Sequence, residues 1–139
     1  MPIKRNGIVE GYARSWPREM FDLKAKFARG EAEDFLRKPG VYVLYSDGRP
    51  HYIGQAISMF KRLNDHAKPQ SKNYNFWNTF SAFAVGDRKG RDELEAILIA
   101  AMPTANSSKP KLNKLKMPAD VVALMRKIRD GRLREALKS

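Results

Sequence analysis

The chain changes its pattern at residue 41, where a run of five consecutive residues that are β-branched, aromatic or leucine begins. This run, Val41 to Tyr45, is typical of a β-strand. The Asp47-Gly48 pair that follows is a strong signal for a tight reverse turn. A second short run, His51 to Gly54, returns after the turn. The sequence therefore predicts a β-hairpin, around which the remaining elements must be arranged.

The segments on either side of this hairpin show apolar residues at helical spacing. Pro17 suits a first helical position, and Met20, Leu23 and Phe27 follow it at helix spacing. Ser58 suits the N-cap of the helix after the hairpin. We predict helices over 12–36, 58–68 and 91–102, a helix that begins at Pro118, and a third strand over 80–85.

One hairpin, one further strand and several helices indicate an α+β fold. The simplest architecture is a three-stranded antiparallel sheet flanked by helices, with N-terminal helices before it and a basic helix at the C-terminal end. We divide the 139 residues into an N-terminal helical extension (1–37), a central domain (38–113) and a basic helical tail (114–139), packed on or beside that domain.

Composition narrows the class of function. The chain has no cysteine and two histidines, which excludes a disulfide framework, a cysteine nucleophile and cysteine-ligated zinc. No apolar run approaches the ~18 residues that span a bilayer, and no secretory signal is visible, so we expect a cytoplasmic protein without a membrane partner. The 27 Lys and Arg outnumber the 15 Asp and Glu, for a net charge of +12. This charge favours nucleic acid as the partner.

The C-terminal segment carries much of that charge. Residues 109–139 hold ten Lys and Arg against three Asp and Glu. A basic helix can follow a phosphate backbone without reading sequence, so we predict that Arg126, Lys127 and Arg129 bind nucleic acid. The alternative is that the apolar side chains of the same helix dock it on the core and leave a solvated charged face. These side chains are Val121, Met125 and Ile128.

Two tripeptides frame the hairpin: Gly40-Val41-Tyr42, and Tyr52-Ile53-Gly54 after nine intervening residues. The features that follow them come in a fixed order: Arg62 ten residues after Tyr52, His66 one helical turn later, Glu95 in Glu-Ala-Ile-Leu-Ile, and Asn106 in Pro-Thr-Ala-Asn. Over about residues 38–113, this pattern resembles the GIY-YIG nuclease family.

The resemblance implies a metal-dependent endonuclease that hydrolyses DNA phosphodiester bonds. It assigns activation of the attacking water to Tyr42, with Tyr52 beside it. It assigns the binding of the scissile phosphate to Arg62, whose planar guanidinium is always charged. A tyrosine can accept a proton only if nearby cations lower its pKa from about 10. DNA, duplex or branched, is then the partner, and a homodimer is expected if both strands are cut.

The other matching residues would complete this site. Glu95 would hold one Mg²⁺ or Mn²⁺ ion, since hard cations prefer oxygen ligands. His66 would orient the nucleophile or shuttle its proton. Asn106 would brace the arrangement, although Asn113 ends a similar Pro-Lys-Leu-Asn run seven residues later. Taken alone, Glu95 has a plainer interpretation, because Asp92-x-x-Glu95 has the spacing of a helix capping box.

One position departs from the family pattern. The family's repair nucleases carry a lysine three residues after the tyrosine of the second strand, where this chain has Gln55. We expect Gln55 and Lys61 to lie at the nucleic-acid surface. Two other functions stay open: a module of the same fold that binds nucleic acid without cutting it, and a basic protein associated with the ribosome or the nucleoid.

Overall fold

In the computed structural model, residues 7–22, 30–106 and 109–138 are described. Four strands lie in this part of the chain: β1 (Gly11–Pro17), β2 (Gly40–Ser46), β3 (Arg49–Ala56) and β4 (Thr79–Ala84). They form one antiparallel sheet in the order β1-β4-β2-β3. The helices are α1 (Gly30–Leu36), α2 (Met59–His66), α3 (Arg88–Ala101) and α4 (Ala119–Lys138), with short 3-10 turns at Arg18–Phe21 and Tyr74–Phe76. The predicted α+β class is confirmed.

The predicted hairpin is also confirmed. β2 and β3 pair in register from Gly40 with Ala56 to Leu44 with Tyr52. Asp47 and Gly48 both have positive φ, at 49° and 82°. Two consecutive residues with positive φ give the kind of tight turn that matches the twist of the flanking strands.

The helix predicted over 12–36 is wrong at its start, where the chain forms β1. This strand pairs with β4 and adds a fourth strand at the edge of the sheet. Pro17 ends the strand instead of beginning a helix, and an edge strand tolerates a proline that donates no hydrogen bond. Trp16 explains the preference for a strand, since its ring packs against Phe35 and Phe80. Residues 23–29 lie outside the described part, and 30–36 are helical, as predicted.

The sheet carries a hydrophobic cluster on each face because side chains alternate along β2. Tyr42 and Leu44 belong to the cluster that includes Leu63 of α2. Val41 and Val43 belong to the other cluster, against which α3 packs. Helices α2 and α3 therefore lie on opposite faces of the sheet, while β3 remains at its edge.

The C-terminal helix α4 begins directly after Pro118, as predicted, and the Pro118 carbonyl accepts a hydrogen bond from the Val122 amide. None of its residues is buried. Val121, Met125 and Ile128 are exposed by 40%, 53% and 46%, so the structure does not show the docked arrangement in which they would be covered. The division of the chain into domains stays a prediction. No helix in the described part is both long and apolar enough to cross a membrane.

Gly54 has a specific steric role in the hairpin. It faces Tyr42 across β2 and β3, and the Tyr42 ring lies over it. A Cβ atom at position 54 would collide with the Tyr42 hydroxyl oxygen and would lie 2.6 Å from its Cζ atom. Both groups belong to the core of the sheet, so neither can move without cost.

We therefore expect Gly54→Ala to lower the free energy of unfolding by about 1–3 kcal/mol, as overpacking of a core usually does. Gly131→Ala is the matched control, since a Cβ there meets no atom within 4 Å. Urea denaturation of both variants measures the effect. Equal stability of Gly54→Ala and wild type would show that the Tyr42 ring does not depend on this glycine.

Candidate active site

The Tyr42 side chain lies at the centre of the candidate site. It is almost fully buried, with 1% exposure. Its hydroxyl oxygen is 2.9 Å from Nε2 of His66, the last residue of α2. Ser58 is the N-cap of α2, as predicted, and its side chain accepts a hydrogen bond from the Lys61 amide. The helix therefore brings the His66 ring to the Tyr42 hydroxyl on one face of the sheet.

Tyr52 completes a cluster of three rings with these two residues. Its ring centroid lies 6.4 Å from that of Tyr42 and 5.6 Å from that of His66. Aromatic rings at these separations attract one another when they are tilted or offset. The two tyrosines of the hairpin tripeptides and His66 are thus brought together on the α2 face of the sheet.

The surroundings of Tyr42 act on its hydroxyl in opposite directions. Burial raises the pKa of Tyr42 well above its ordinary value, and the neighbouring Tyr52 raises it further. The charge of Arg62 lowers this pKa, while the Glu95 carboxylate raises it. In the protein without ligand, Tyr42 is therefore a neutral phenol at physiological pH.

Arg62 itself is exposed on α2. It lines an open cleft whose charged side chains are basic except for Asp65; the other basic members are Lys61, Arg88 and Arg91. The uncharged lining residues are Gln55, Ala56, Ile57 and Ser58. Such a concentration of positive charge attracts a phosphate backbone. The structure thus places Gln55, Lys61 and Arg62 along one surface.

Glu95 lies on α3, on the opposite face of the sheet from α2, and is half-buried. The amide nitrogen of Gln55 donates to Glu95 Oε1 at 3.4 Å and to Asp92 Oδ1 at 2.8 Å. The capping interpretation of Glu95 is wrong, because α3 begins at Arg88 and its N-cap is Asp87, which accepts from the Gly90 amide. Glu95 therefore lies in the middle of α3, and its carboxylate faces Gln55 of β3.

The carboxylates of Asp92 and Glu95 are a suitable but incomplete donor set for a hard cation. The described part of the chain has no group of three or more His, Cys, Asp or Glu side chains that could hold a metal ion. Mg²⁺ commonly binds through one or two carboxylates and takes its other ligands from water and substrate phosphate. The residues present fit that mode of binding.

The Asn106 side chain braces the free edge of β3. Its amide nitrogen donates to the Ile53 carbonyl at 2.8 Å, and its oxygen accepts from the Ile53 amide at 2.9 Å. The Ala105 amide also donates to the His51 carbonyl. These bonds satisfy backbone groups that an edge strand leaves unpaired. Asn113, in contrast, is exposed in the segment before α4.

Two buried polar side chains in this region were not expected from the sequence. Asn73 is 7% exposed and contacts both histidines of the chain. Arg91 is 8% exposed and donates to the carbonyls of Val85 and Gly86, which holds the turn before α3. Asn73 lies in an irregular loop between α2 and β4, and no spacing pattern in the sequence distinguished it.

The three basic residues predicted on the tail do not join this site. Arg126, Lys127 and Arg129 are exposed on α4. They do not line the cleft beside Arg62. Their role in binding nucleic acid stays a prediction.

Solved structures similar to this chain are forms of the GIY-YIG N-terminal endonuclease domain of UvrC from Thermotoga maritima. The form bound to magnesium is 28% identical over 50% of this chain and 85% of that chain, with a TM-score of 0.42. Two point mutants bound to the catalytic divalent cation are also 28% identical over 50% of this chain and 84% of theirs, with TM-scores of 0.42 and 0.41. No protein-family model and no curated protein matches the chain.

The surroundings of His66 make the stability of the protein depend on pH. Burial lowers its pKa from 6.5, Arg62 and Lys72 lower it as well, and Asp65 raises it. Between the lowered value and 6.5, the unfolded chain binds more protons at this histidine than the folded protein does. The contribution of neutral His66 to stability is therefore complete above about pH 6.5 and is lost as the pH falls below it.

We expect the free energy of unfolding to fall between about pH 7.5 and about pH 5.5, and to fall less in His66→Gln. Urea denaturation of wild type and variant at both pH values measures this difference. An identical decrease in the two proteins would mean that His66 is not held in its neutral form.

Proposed function

We propose that the protein is a metal-dependent endonuclease that hydrolyses DNA phosphodiester bonds. The observation that carries this proposal is that three side chains act on the Tyr42 hydroxyl. His66 is hydrogen-bonded to it, and the charges of Arg62 and Glu95 change its pKa. A phenol, an imidazole, a guanidinium and a carboxylate are the groups needed to activate water, to hold a phosphate and to bind a divalent cation.

Tyr42 is the residue that we propose accepts the proton of the attacking water. For this it must become a phenolate, which its burial opposes and the positive charge of Arg62 favours. A divalent cation at the site would supply further positive charge and polarise the phosphate and the water. Neutralising the Glu95 carboxylate would also remove its raising effect on the pKa of Tyr42. The tyrosine would thus be activated only when the site is loaded.

Arg62 is the residue that we propose holds the scissile phosphate. It lies at the cleft whose wall carries Lys61 and Arg88, and its fork can donate two parallel hydrogen bonds to phosphate oxygens. Tyr52 and Asn106 position the site in this proposal, one through the cluster of rings and the other through β3. DNA enters along the basic wall, whether duplex or branched.

Glu95 is the residue that we propose holds one Mg²⁺ or Mn²⁺ ion. The similar UvrC domains are bound to a catalytic divalent cation, which is magnesium in one form. In this chain Gln55 orients the Glu95 carboxylate through its amide. Cleavage of both strands by one such site requires two copies or two encounters. The cytoplasmic location expected from the sequence stays a prediction.

A second function, binding without cleavage, is favoured by one observation. Gln55 stands where the repair nucleases of the family carry a lysine, so the site has one cation fewer to offset the burial of Tyr42. The basic cleft would still bind a phosphate backbone. Pure protein incubated with plasmid DNA and Mn²⁺ distinguishes the two functions, since only the nuclease converts supercoiled plasmid to nicked or linear forms.

We expect Glu95→Gln to reduce cleavage by more than about 100-fold, because even the loss of a group that only orients a metal ligand can cost that much. DNA binding should be unchanged or stronger, since a charge that repels phosphate is removed. Plasmid cleavage with Mg²⁺ or Mn²⁺ and fluorescence anisotropy with labelled DNA measure the two effects.

The matched control for this experiment is Glu93→Gln. Glu93 is exposed on the same helix, so this substitution makes the same change in charge at a position outside the site. Wild-type cleavage is expected for Glu93→Gln. Full cleavage by Glu95→Gln as well would remove the metal assignment.

The basic tail gives a separate prediction about affinity. Neutralising Arg126, Lys127 and Arg129 together should weaken DNA binding. The slope of log affinity against log salt should decrease by about 0.9 for each duplex DNA phosphate that the variant no longer neutralises. The melting temperature should not change, since these residues are exposed. An unchanged salt slope would show that α4 does not contact the substrate.

A further inference from the structure

Three hydrogen bonds connect the two histidines of the chain with the Tyr42 hydroxyl. His51 Nε2 lies 3.4 Å from Asn73 Oδ1, and Asn73 Nδ2 lies 3.3 Å from His66 Nδ1. The other ring nitrogen of His66, Nε2, lies 2.9 Å from the Tyr42 oxygen. The groups come from β3, a loop, α2 and β2. Asn73 is the link between the two rings.

The orientation of the Asn73 amide in the structure sets the direction of these bonds. An amide nitrogen only donates, so His66 Nδ1 must accept from Asn73 with its lone pair. Neutral His66 then carries its proton on Nε2 and donates it to the Tyr42 oxygen. An amide oxygen only accepts, so His51 Nε2 donates to Asn73.

We propose that Asn73 is a positioning residue that holds His66 in the tautomer with its proton on Nε2, so that His66 donates a hydrogen bond to the Tyr42 oxygen. The catalytic meaning of this arrangement rests on the proposed nuclease function. The arrangement itself does not, because it follows from the contacts of the folded chain. It distinguishes the two roles expected for His66, orienting or accepting a proton.

Asn73 is enclosed between its two histidine partners. The residue is buried, and its backbone amide donates to Ser71 Oγ. Its partner His51 is itself fixed, because its ring is stacked on Phe76 at 5.4 Å and its carbonyl accepts from the Ala105 amide. With its amide reversed, Asn73 would accept from His66 Nδ1, which would then carry the proton, so the protonated nitrogen of His66 reports the orientation of the amide.

The consequence for Tyr42 concerns its ionised form. In the Nε2 tautomer, His66 has no lone pair facing Tyr42 and cannot take the tyrosine proton. Its N–H group instead stabilises negative charge on the Tyr42 oxygen, which favours the phenolate. His66 thereby counteracts part of the effect of burial on Tyr42.

Asn73→Asp reverses this arrangement with almost no change in shape. A carboxylate oxygen opposite Nδ1 accepts a hydrogen bond and attracts positive charge, so His66 acquires a proton on Nδ1. The other groups that face or influence His66 stay in place; they are Tyr42, Tyr52, Arg62, Asp65 and Lys72. Asn75→Asp is the matched control, since Asn75 is exposed in the same loop and gains the same charge.

The test is ¹⁵N NMR of the imidazole rings in the full chain, with His66→Gln used to assign the signals of the two histidines. Near neutral pH, we expect His66 in wild type and in Asn75→Asp to carry its proton on Nε2 with Nδ1 bare. In Asn73→Asp, Nδ1 should be protonated. A proton on Nδ1 in wild type would overturn the proposal, and so would a wild-type pattern in folded Asn73→Asp. The wild-type spectrum decides the matter if that variant does not fold.

Cleavage provides a second measurement that separates this inference from the nuclease function. If the protein cuts DNA, the pH–rate profile of Asn73→Asp should shift, while that of Asn75→Asp should match wild type. An unshifted profile in Asn73→Asp would overturn the role of Asn73 in activity. Absence of cleavage in wild type would contradict the nuclease function, and the NMR result would still decide the tautomer.

Discussion

The close approach of the Tyr42 ring to Gly54 is the constraint on which the candidate site depends. The two residues face each other across β2 and β3, and a side chain at position 54 would occupy the space of the tyrosine hydroxyl. This packing directs the hydroxyl toward the edge strand, where His66 of α2 meets it. His66 is hydrogen-bonded to this oxygen atom, and the charges of Arg62 and Glu95 influence its ionisation.

The position of β3 at the edge of the sheet explains how two layers contribute to one site. Tyr42 and His66 lie on the α2 face, whereas Glu95 reaches β3 from α3 on the other face. An edge strand has no further strand to separate the two sides, so groups from both can influence the same hydroxyl. Asn106 covers the exposed backbone of this edge and keeps it from pairing elsewhere.

Burial raises the pKa of Tyr42, and the surrounding groups raise or lower this pKa further. Burial favours the neutral phenol, and the Glu95 carboxylate acts in the same direction. Arg62 opposes both through its charge, and His66 opposes them through a hydrogen bond whose direction follows from Asn73. A loaded site would shift the balance toward the phenolate.

Local sequence signals were sufficient for the hairpin and for the cap at Ser58, because turn chemistry and capping preferences determine them. The candidate site residues came from the resemblance to a known family. Local signals were insufficient for β1, whose strand conformation depends on pairing with β4 and on the distant packing of Trp16. The role of Asn73 could not be predicted from the sequence either, because Asn73 contacts two histidines that belong to different elements. Contacts between residues remote in sequence are decided only when the sheet and its helices assemble.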